Sequence, residues 1–549
     1  MSIYVDQLGY LPKAPKIAVA TLPCRFQVIR VSDNMPVYEG KTSGPIDDPC
    51  SGDKVYQIDF SLLTENGTYY ILGGNSGKSF EFRIGDDLYR EVFRDSIRCL
   101  YYQRCGIGLE EKNAGIYARP VCHEEPAILL EDYLHKTEDP KTFDMRGGWH
   151  DAGDYGRYTD PGAVAVAHLL YAYALFPESF RDLDLNIPES GSGLPDILSE
   201  CLYELRWLLK MQDRDGGVFH KLTTFRHAEF IMPQDDHGQM IIFPKSSMAT
   251  ADFSAVMALA SRVYRPFMPE FAEEMLSAAK RAYKWLHNHP FVGFQNPEGC
   301  DTGGYEMDTD IDNRLWATAE MLRVDPANTG EYLKELEALT EEVSSKFDFG
   351  WQDVSGLASL AILSDPKHTT GMLEPNYKAA VLSEAARVSK IFRTSGYNLG
   401  MEPEDFIWGS NMRVLNRGML FILASQITKG NVREKYFEAA MGHIHYLFGR
   451  NPMNISYVTG YGKNPVRHPH NRVTECDGIE PTIPGFVSGG PFRHFCDAAA
   501  EAMIPKGTAP MKCFIDDAGS YSTNEITIYW NSPLIFICAF LIFYTGREF

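Results

Sequence analysis

The pattern of apolar and polar positions changes once along the chain, near residue 85. Before it, residues 17–20, 25–31, 55–60, 68–72 and 80–84 form short runs rich in β-branched and aromatic side chains. Turn clusters such as Ser32-Asp33-Asn34, Glu65-Asn66-Gly67 and Gly73-Gly74-Asn75 separate them, and that spacing predicts a small β-sandwich. After Gly85-Asp86-Asp87 the apolar positions recur with the helical period. Helices are expected over 88–102, 163–175, 197–211, 249–263, 271–287, 311–322, 329–347, 377–392, 412–428, 432–448 and 534–544. Such a series, joined by Gly- and Pro-rich loops and without a close sequence repeat, predicts a toroid of paired helices rather than a stacked solenoid. The reading divides the chain into 1–85 and 86–549, and in a toroid the loops of one rim can gather residues from distant parts of the sequence.

Composition narrows the partners. Of 549 residues, 44% are hydrophobic and 23% charged, as in an ordinary soluble protein. A net charge of -21 argues against nucleic acid or an anionic membrane as partner and is compatible with a neutral or cationic substrate. The longest apolar run, 533–544, is too short to span a bilayer and is read as a buried helix. The first six residues have neither a basic nor an apolar segment of the kind that opens a signal peptide, so a cytoplasmic location is expected. The 11 cysteines show no regular spacing, which suits a reducing compartment.

Three stretches carry candidate chemistry. In Gly147-Gly148-Trp149-His150-Asp151-Ala152-Gly153-Asp154-Tyr155, two carboxylates three residues apart flank a small Ala-Gly pair. A tight turn there could aim both at one water molecule and deprotonate it, although a lone Asp-x-x-Asp also suits a surface turn or helix cap. Near the other end, Asp516 to Glu525 runs into the apolar, aromatic Ile526-Thr527-Ile528-Tyr529-Trp530. A carboxyl desolvated in such company stays protonated and can act as an acid, while the plain alternative makes Glu525 a surface or capping residue. Between them, residues 456–465 lead to His468-Pro469-His470-Asn471-Arg472, where His470 and Arg472 can donate to hydroxyls or orient a carboxylate.

Two further sets suit cations. Cys105, Cys122, His123 and His150 offer the two thiolates and two imidazoles of a closed tetrahedral zinc site, but their spacing is not that of a zinc finger, and ordinary buried cysteines explain it as well. Residues 301–312 are dense in oxygen ligands suited to calcium, and equally suited to an acidic helix N-terminus.

Taken together, the three stretches resemble the signatures of family 9 glycoside hydrolases, the inverting cellulase family. Asp151-Ala152-Gly153-Asp154 matches its DAGD turn, residues 456–472 its Ser-x-Val-Thr to Pro-His-x-Arg loop, and 516–532 its Asp…Tyr-x-x-Asn-Glu…Asn-Ser segment, while Trp408-Gly409-Ser410-Asn411 also resembles a family segment. The opening Tyr4 to Pro12 resembles the immunoglobulin-like module that precedes the catalytic domain in one branch. The resemblance implies an N-terminal all-β immunoglobulin-like sandwich followed by an all-α (α/α)6 barrel. It makes Asp154 the general base, Asp151 a holder of the water, Glu525 the general acid, and His470, Arg472, Tyr521 and Trp408 sugar contacts. No cofactor is implied for catalysis. It further implies a structural zinc on Cys105, Cys122, His123 and His150, and places 301–312 where relatives hold calcium. This chain has Asn471 where the family often has a second histidine.

The expected activity is inverting hydrolysis of β-1,4-glucosidic bonds in cellulose-type glucans or cello-oligosaccharides, endoglucanase-like. Aromatic rings that stack on sugar faces have candidates in Trp149, Trp408 and Trp530. Loops 219–247 and 478–491 could instead close one end of a cleft, giving an exo-β-glucosidase or exo-β-glucosaminidase that trims short oligosaccharides. A non-catalytic carbohydrate-binding protein would need a lost carboxylate, and all three are present.

Overall fold

The computed structural model describes residues 2–343, 347–364 and 373–546. The N-terminal strands pair into two sheets. One runs in the order Ile3–Tyr4, Ile17–Ala20, Asp53–Asp59, Ser43–Asp48; the other in the order Gly9–Tyr10, Phe82–Ile84, Gly67–Leu72, Arg25–Arg30, Met35–Lys41. Phe26, Val28, Ile58, Tyr69, Ile71 and Phe82 share one apolar core with Tyr10, whose ring meets Phe60 and Phe82 edge-on at 5.1 and 5.3 Å. Gly9 pairs with Arg83 so closely that a Cβ there would lie 2.2 Å from the Arg83 carbonyl oxygen. The sequence reading did not show Met35–Lys41 and Ser43–Asp48. Both are edge strands holding proline and glycine, residues that edges tolerate and propensity disfavours.

The chain packs as two compact units, one of residues 1–96, 382–470 and 480–549, the other of 97–381 and 471–479. Within the first, Ser410–Gln426 packs against Gly430–Leu447 and against Ile528–Thr545. The last of these helices starts six residues before the expected 534, because Thr527 caps it by accepting the Trp530 N–H at 3.1 Å. It is long and apolar enough to cross a membrane, yet 83% of it is buried within the fold. The sheets join these helices through Asp6 and Gln7. Asp6 Oδ2 meets His445 Nδ1 at 2.7 Å, while Gln7 Oε1 accepts the N–H groups of Lys463 and Asn464 at 2.9 and 2.8 Å. Gln7 Nε2 donates to the Asn454 carbonyl at 3.0 Å. The 456–465 loop is thus wrapped on the N-terminal segment, and a Cβ on Gly462 would lie 3.0 Å from Gln7 Oε1.

In the second unit, Thr159–Leu175 and Ser247–Tyr264 are buried nearly all round and rich in alanine, so neighbouring backbones can approach. Asp196–Lys210, Pro269–Asn288 and Ile311–Val324 pack around them. Pro269–Asn288 keeps one polar face, the outer half of a paired arrangement. Helix Thr329–Glu342 ends at Glu342, residues 344–346 of the expected 329–347 lying outside the described residues, and Ser355–Ser364, buried nearly all round, is a helix that periodicity could not reveal. A small sheet of Thr142–Phe143, Ala127–Leu129, Ile241–Ile242, Lys221–Thr223 and Arg157–Tyr158 was not foreseen either, since strands of two or three residues carry no readable alternation. It fixes both the end of the Asp151–Asp154 turn and the segment 219–247.

Candidate active site

The turn is built from its glycines outward. Gly147 and Gly148 take φ values of 114° and 75°, and a Cβ on Gly148 would lie 2.8 Å from the Trp207 ring. Trp149 is only 1% exposed; its backbone N–H and its Nε1–H donate to Glu204 and Glu200 at 2.6 and 2.8 Å. It anchors the turn from beneath and is not a sugar platform; Trp530 is likewise buried. Asp151 N–H donates to the Gly156 carbonyl at 2.9 Å, closing the loop that holds Asp154.

The two carboxyls sit in opposite electrostatic states. Asp151 is buried and accepts a hydrogen bond from Tyr305 through Oδ2, and among the described residues Oδ1 has no hydrogen-bond partner. Burial raises its pKa well above the carboxylate range; the Tyr305 hydroxyl opposes this and the Asp154 charge adds to it. Asp154 is also buried, which alone would raise it. His227 Nδ1 at 3.3 Å, the Arg472 charge and the Gly156 N–H at 3.1 Å outweigh that effect and hold it below its ordinary range. Tyr158 OH donates to the same oxygen at 3.4 Å. One turn therefore sets two carboxyls in opposite surroundings, Asp151 pushed up by burial and Asp154 held down by its partners. His227 and Tyr305 were not foreseen, because each reaches the turn from a loop distant in sequence.

Arg472 belongs to this unit as well. Its N–H and Nη1 each donate to the Gly153 carbonyl at 3.0 Å, and Nε donates to the Ala228 carbonyl at 2.8 Å. Asn471 caps helix Arg472–Cys476 by accepting the Thr474 N–H at 2.9 Å, a task for which an asparagine is well suited.

The other unit carries Glu525, His470, Tyr521 and Trp408. Asn524 fixes this group: its carbonyl accepts the His470 N–H at 2.9 Å, and its Nδ2 donates to the His468 carbonyl at 2.7 Å and to Asp516 at 3.1 Å. Its Oδ1 accepts the Ser488 hydroxyl at 2.8 Å. Glu525, next in the chain, is half-buried, and its carbonyl accepts the Gly489 N–H at 2.8 Å. His470 Nδ1 donates to the Ala518 carbonyl at 2.6 Å, and its ring meets Tyr521 at 5.9 Å. Trp408 is 41% exposed and tilts against the exposed Tyr521 with centroids 5.5 Å apart, an open aromatic face of the kind sugars stack on.

Cys105, Cys122, His123 and His150 converge, all buried, with one ligand atom from each lying within 4.8 Å of the others. Burial pushes the Cys105 thiol up, whereas the hydrogen bond from Cys105, and after it those of His123 and His150, draw Cys122 well down. Burial lowers His150 to about 4, so it is a neutral imidazole with a lone pair to give. His123 takes a left-handed φ of 49° and meets Asp236 through Nε2 at 3.2 Å, leaving Nδ1 toward the thiols. A carboxylate behind a histidine is the support that metal-ligating imidazoles usually have. The donor set fits a structural metal ion.

Within residues 301–312, three acidic side chains have protein partners. Asp301 accepts the His227 N–H at 2.7 Å, Asp310 pairs with Arg314 at 2.8 Å, and Asp312 accepts the Val354 N–H at 2.9 Å. Their carboxylates are committed in different directions, and among the described residues only the Cys/His set gathers three or more such ligands around one point.

Compared with known proteins, residues 89–538 match the model of Glycosyl hydrolase family 9, and residues 1–78 that of the Cellulase N-terminal ig-like domain. The chain belongs to glycosyl hydrolase family 9. It is a glycoside hydrolase of the cellulase and endoglucanase family, with an N-terminal immunoglobulin-like sheet domain followed by a helical (α/α)6 domain, as the sequence led one to expect. A cellodextrinase of Butyrivibrio fibrisolvens is 39% identical over 97% of this chain and 98% of its own. Endoglucanase D of Acetivibrio thermocellus is 35% identical over 100% of this chain and 84% of its own. Among solved structures, a thermostable endoglucanase of Alicyclobacillus acidocaldarius superposes on this family 9 hydrolase with a TM-score of 0.90 and 35% identity, covering 98% of this chain and 99% of that one. A Zn-binding triple mutant of a family 9 endoglucanase gives 0.88 at 32% identity, over 97% and 99%.

Proposed function

We propose that this family 9 hydrolase cleaves β-1,4-glucosidic bonds of cellulose-type glucans or cello-oligosaccharides with inversion. The observation that carries the reading is the geometry of one turn: Asp154 faces His227 at 3.3 Å and the Gly156 N–H at 3.1 Å, while buried Asp151 accepts from Tyr305 and has no partner on Oδ1 among the described residues. A pair of carboxyls driven apart in this way can divide the work on one water molecule. Asp151 holds the water through its unpartnered Oδ1, and ionised Asp154 takes its proton as general base. Glu525 is the general acid that protonates the leaving oxygen. Trp408, Tyr521 and His470 supply stacking and hydrogen bonds to the sugar, and Arg472 holds the turn from behind while facing the base. The negative net charge of -21 favours this uncharged substrate over nucleic acid or anionic membrane. We assign 1–85 to the sandwich and 86–549 to the catalytic domain, and the protein to the cytoplasm.

Zinc is the metal we assign to Cys105, Cys122, His123 and His150. Bound there, it would act structurally, as a closed site with four protein ligands, and His150 would tie it to the neighbouring Asp151. Action on short cellodextrins is a second reading, favoured by the cellodextrinase that matches this chain over almost the whole length of both.

Kinetics on cellohexaose test the roles. Glu525→Gln and Asp154→Ala should each lose on the order of a thousandfold in kcat, with binding by calorimetry retained in Glu525→Gln. Hydrolysis left intact in Asp154→Ala would remove the base from the scheme.

A further inference from the structure

Lys221 is fully buried in strand Lys221–Thr223. Its ammonium donates to Asn296 Oδ1 at 2.7 Å, the Gly303 carbonyl at 2.8 Å and Thr302 Oγ1 at 2.9 Å, with the Thr302 carbonyl at 3.3 Å. The Phe243 ring lies 4.4 Å below it. These four oxygens are neutral and come from one short segment, 296–303. Three strong bonds satisfy all the donors of an ammonium, and oxygens converging from a loop are also the surroundings that a hard metal ion seeks. Burial draws the Lys221 pKa down to about 8, which leaves it charged at neutral pH.

The same segment reaches the carboxyl pair. Gly303 N–H donates to Tyr158 OH at 2.9 Å, and that hydroxyl donates to Asp154. Two residues on, Tyr305 takes a left-handed φ of 48° and donates to Asp151. Asn296, whose side chain holds the ammonium, also donates its Nδ2–H to the Thr302 carbonyl at 2.7 Å, closing the loop on itself.

We propose that Lys221 is a positioning residue whose tethered ammonium is the built-in cation of the 296–305 loop, holding Tyr305 and Tyr158 against Asp151 and Asp154. The inference rests on the roles given to Asp151 and Asp154.

The test uses two variants of the full chain. Lys221→Met keeps most of the aliphatic stem and removes the charge; Lys221→Ala opens space for a small cation. Lys221→Met should lose at least about tenfold in kcat on cellohexaose with KM changed by less than about twofold, as expected when a positioned group drifts without loss of binding surface. Ethylammonium, and not sodium chloride at the same ionic strength, should raise the Tm of Lys221→Ala and restore part of its kcat. Wild-type kcat in Lys221→Met would overturn the proposal, as would ethylammonium that leaves Lys221→Ala unmoved. Should Lys221→Ala not fold, the kcat and KM of Lys221→Met decide alone. The Tm rescue does not involve the reaction, so a mistaken role for Asp154 shows in Asp154→Ala and leaves this readout intact.

Discussion

His227 Nδ1 lies 3.3 Å from Asp154 Oδ2, so the carboxylate assigned as base is paired with an imidazole from a loop more than seventy residues further along the chain. A base in this setting is held ionised by its partner. Removing His227 lets the Asp154 pKa rise toward its ordinary value, since burial then acts with less opposition. The acid limb of kcat/KM should therefore move to higher pH in His227→Ala. A pH–rate profile measures it, and a limb that stays in place would show that His227 does not tune the base.

The metal assignment predicts about one zinc per chain in the purified protein, measured by inductively coupled plasma mass spectrometry. Cys122→Ser should lose it and melt at lower temperature, because the four ligands tie residues 105, 122–123 and 150 together. Protein that holds no zinc, with a Tm indifferent to chelator, would return the cluster to ordinary buried cysteines.

These two sites differ in how much of them the sequence revealed. The Asp151–Asp154 turn and the Cys/His set are legible through the resemblance to family 9, since their spacing alone suits a surface turn and ordinary buried cysteines equally well. Their supports are not. Tyr305, His227, Asp236 and Lys221 act through contacts made across 73 to 154 positions in the chain, His227 with Asp154, Lys221 with Asn296, Asp236 with His123 and Tyr305 with Asp151, and no local pattern marks them. Long amphipathic helices such as Pro269–Asn288 were read nearly to the residue. Short edge strands and Ser355–Ser364, buried nearly all round, are not legible, since neither presents a period. Trp149 was offered as a sugar platform because aromatic character is visible in a sequence and burial is not.

His443 makes the fold sensitive to acid. Its Nδ1–H donates to the Ala439 carbonyl at 2.7 Å, and its Nε2 accepts the Gly400 N–H at 3.2 Å, a pair of bonds that only the neutral ring can make. Burial lowers its pKa to about 3. Below the unfolded value near 6.5 the unfolded chain takes a proton that the folded chain refuses, so stability falls as pH drops from about 6.5 toward 3, by roughly 1.4 kcal/mol per pH unit for this group. Denaturant titrations between those limits should show a shallower pH slope in His443→Gln; an unchanged slope would exclude His443 as a source.

Gln7 is the test of the docked sandwich. Replacing it with alanine removes the acceptor of the Lys463 and Asn464 N–H groups and the donor to Asn454. Gln7 itself is buried and its partners are half-buried or exposed, so the loss is that of three hydrogen bonds at about 0.5–1.5 kcal/mol each, and Gln7→Ala should lower the urea midpoint. A midpoint equal to that of the wild type would mean that the 456–465 loop does not depend on the N-terminal segment.

The account turns on inversion at a β-1,4-glucosidic bond. The most direct measurement is a time course on cellohexaose followed by proton NMR, reading the anomer of the first product before it mutarotates. The α-anomer is predicted, with Asp154 directing water to the face opposite the leaving group. A first product in the β-anomer, or no cleavage of cellohexaose at all, would contradict it.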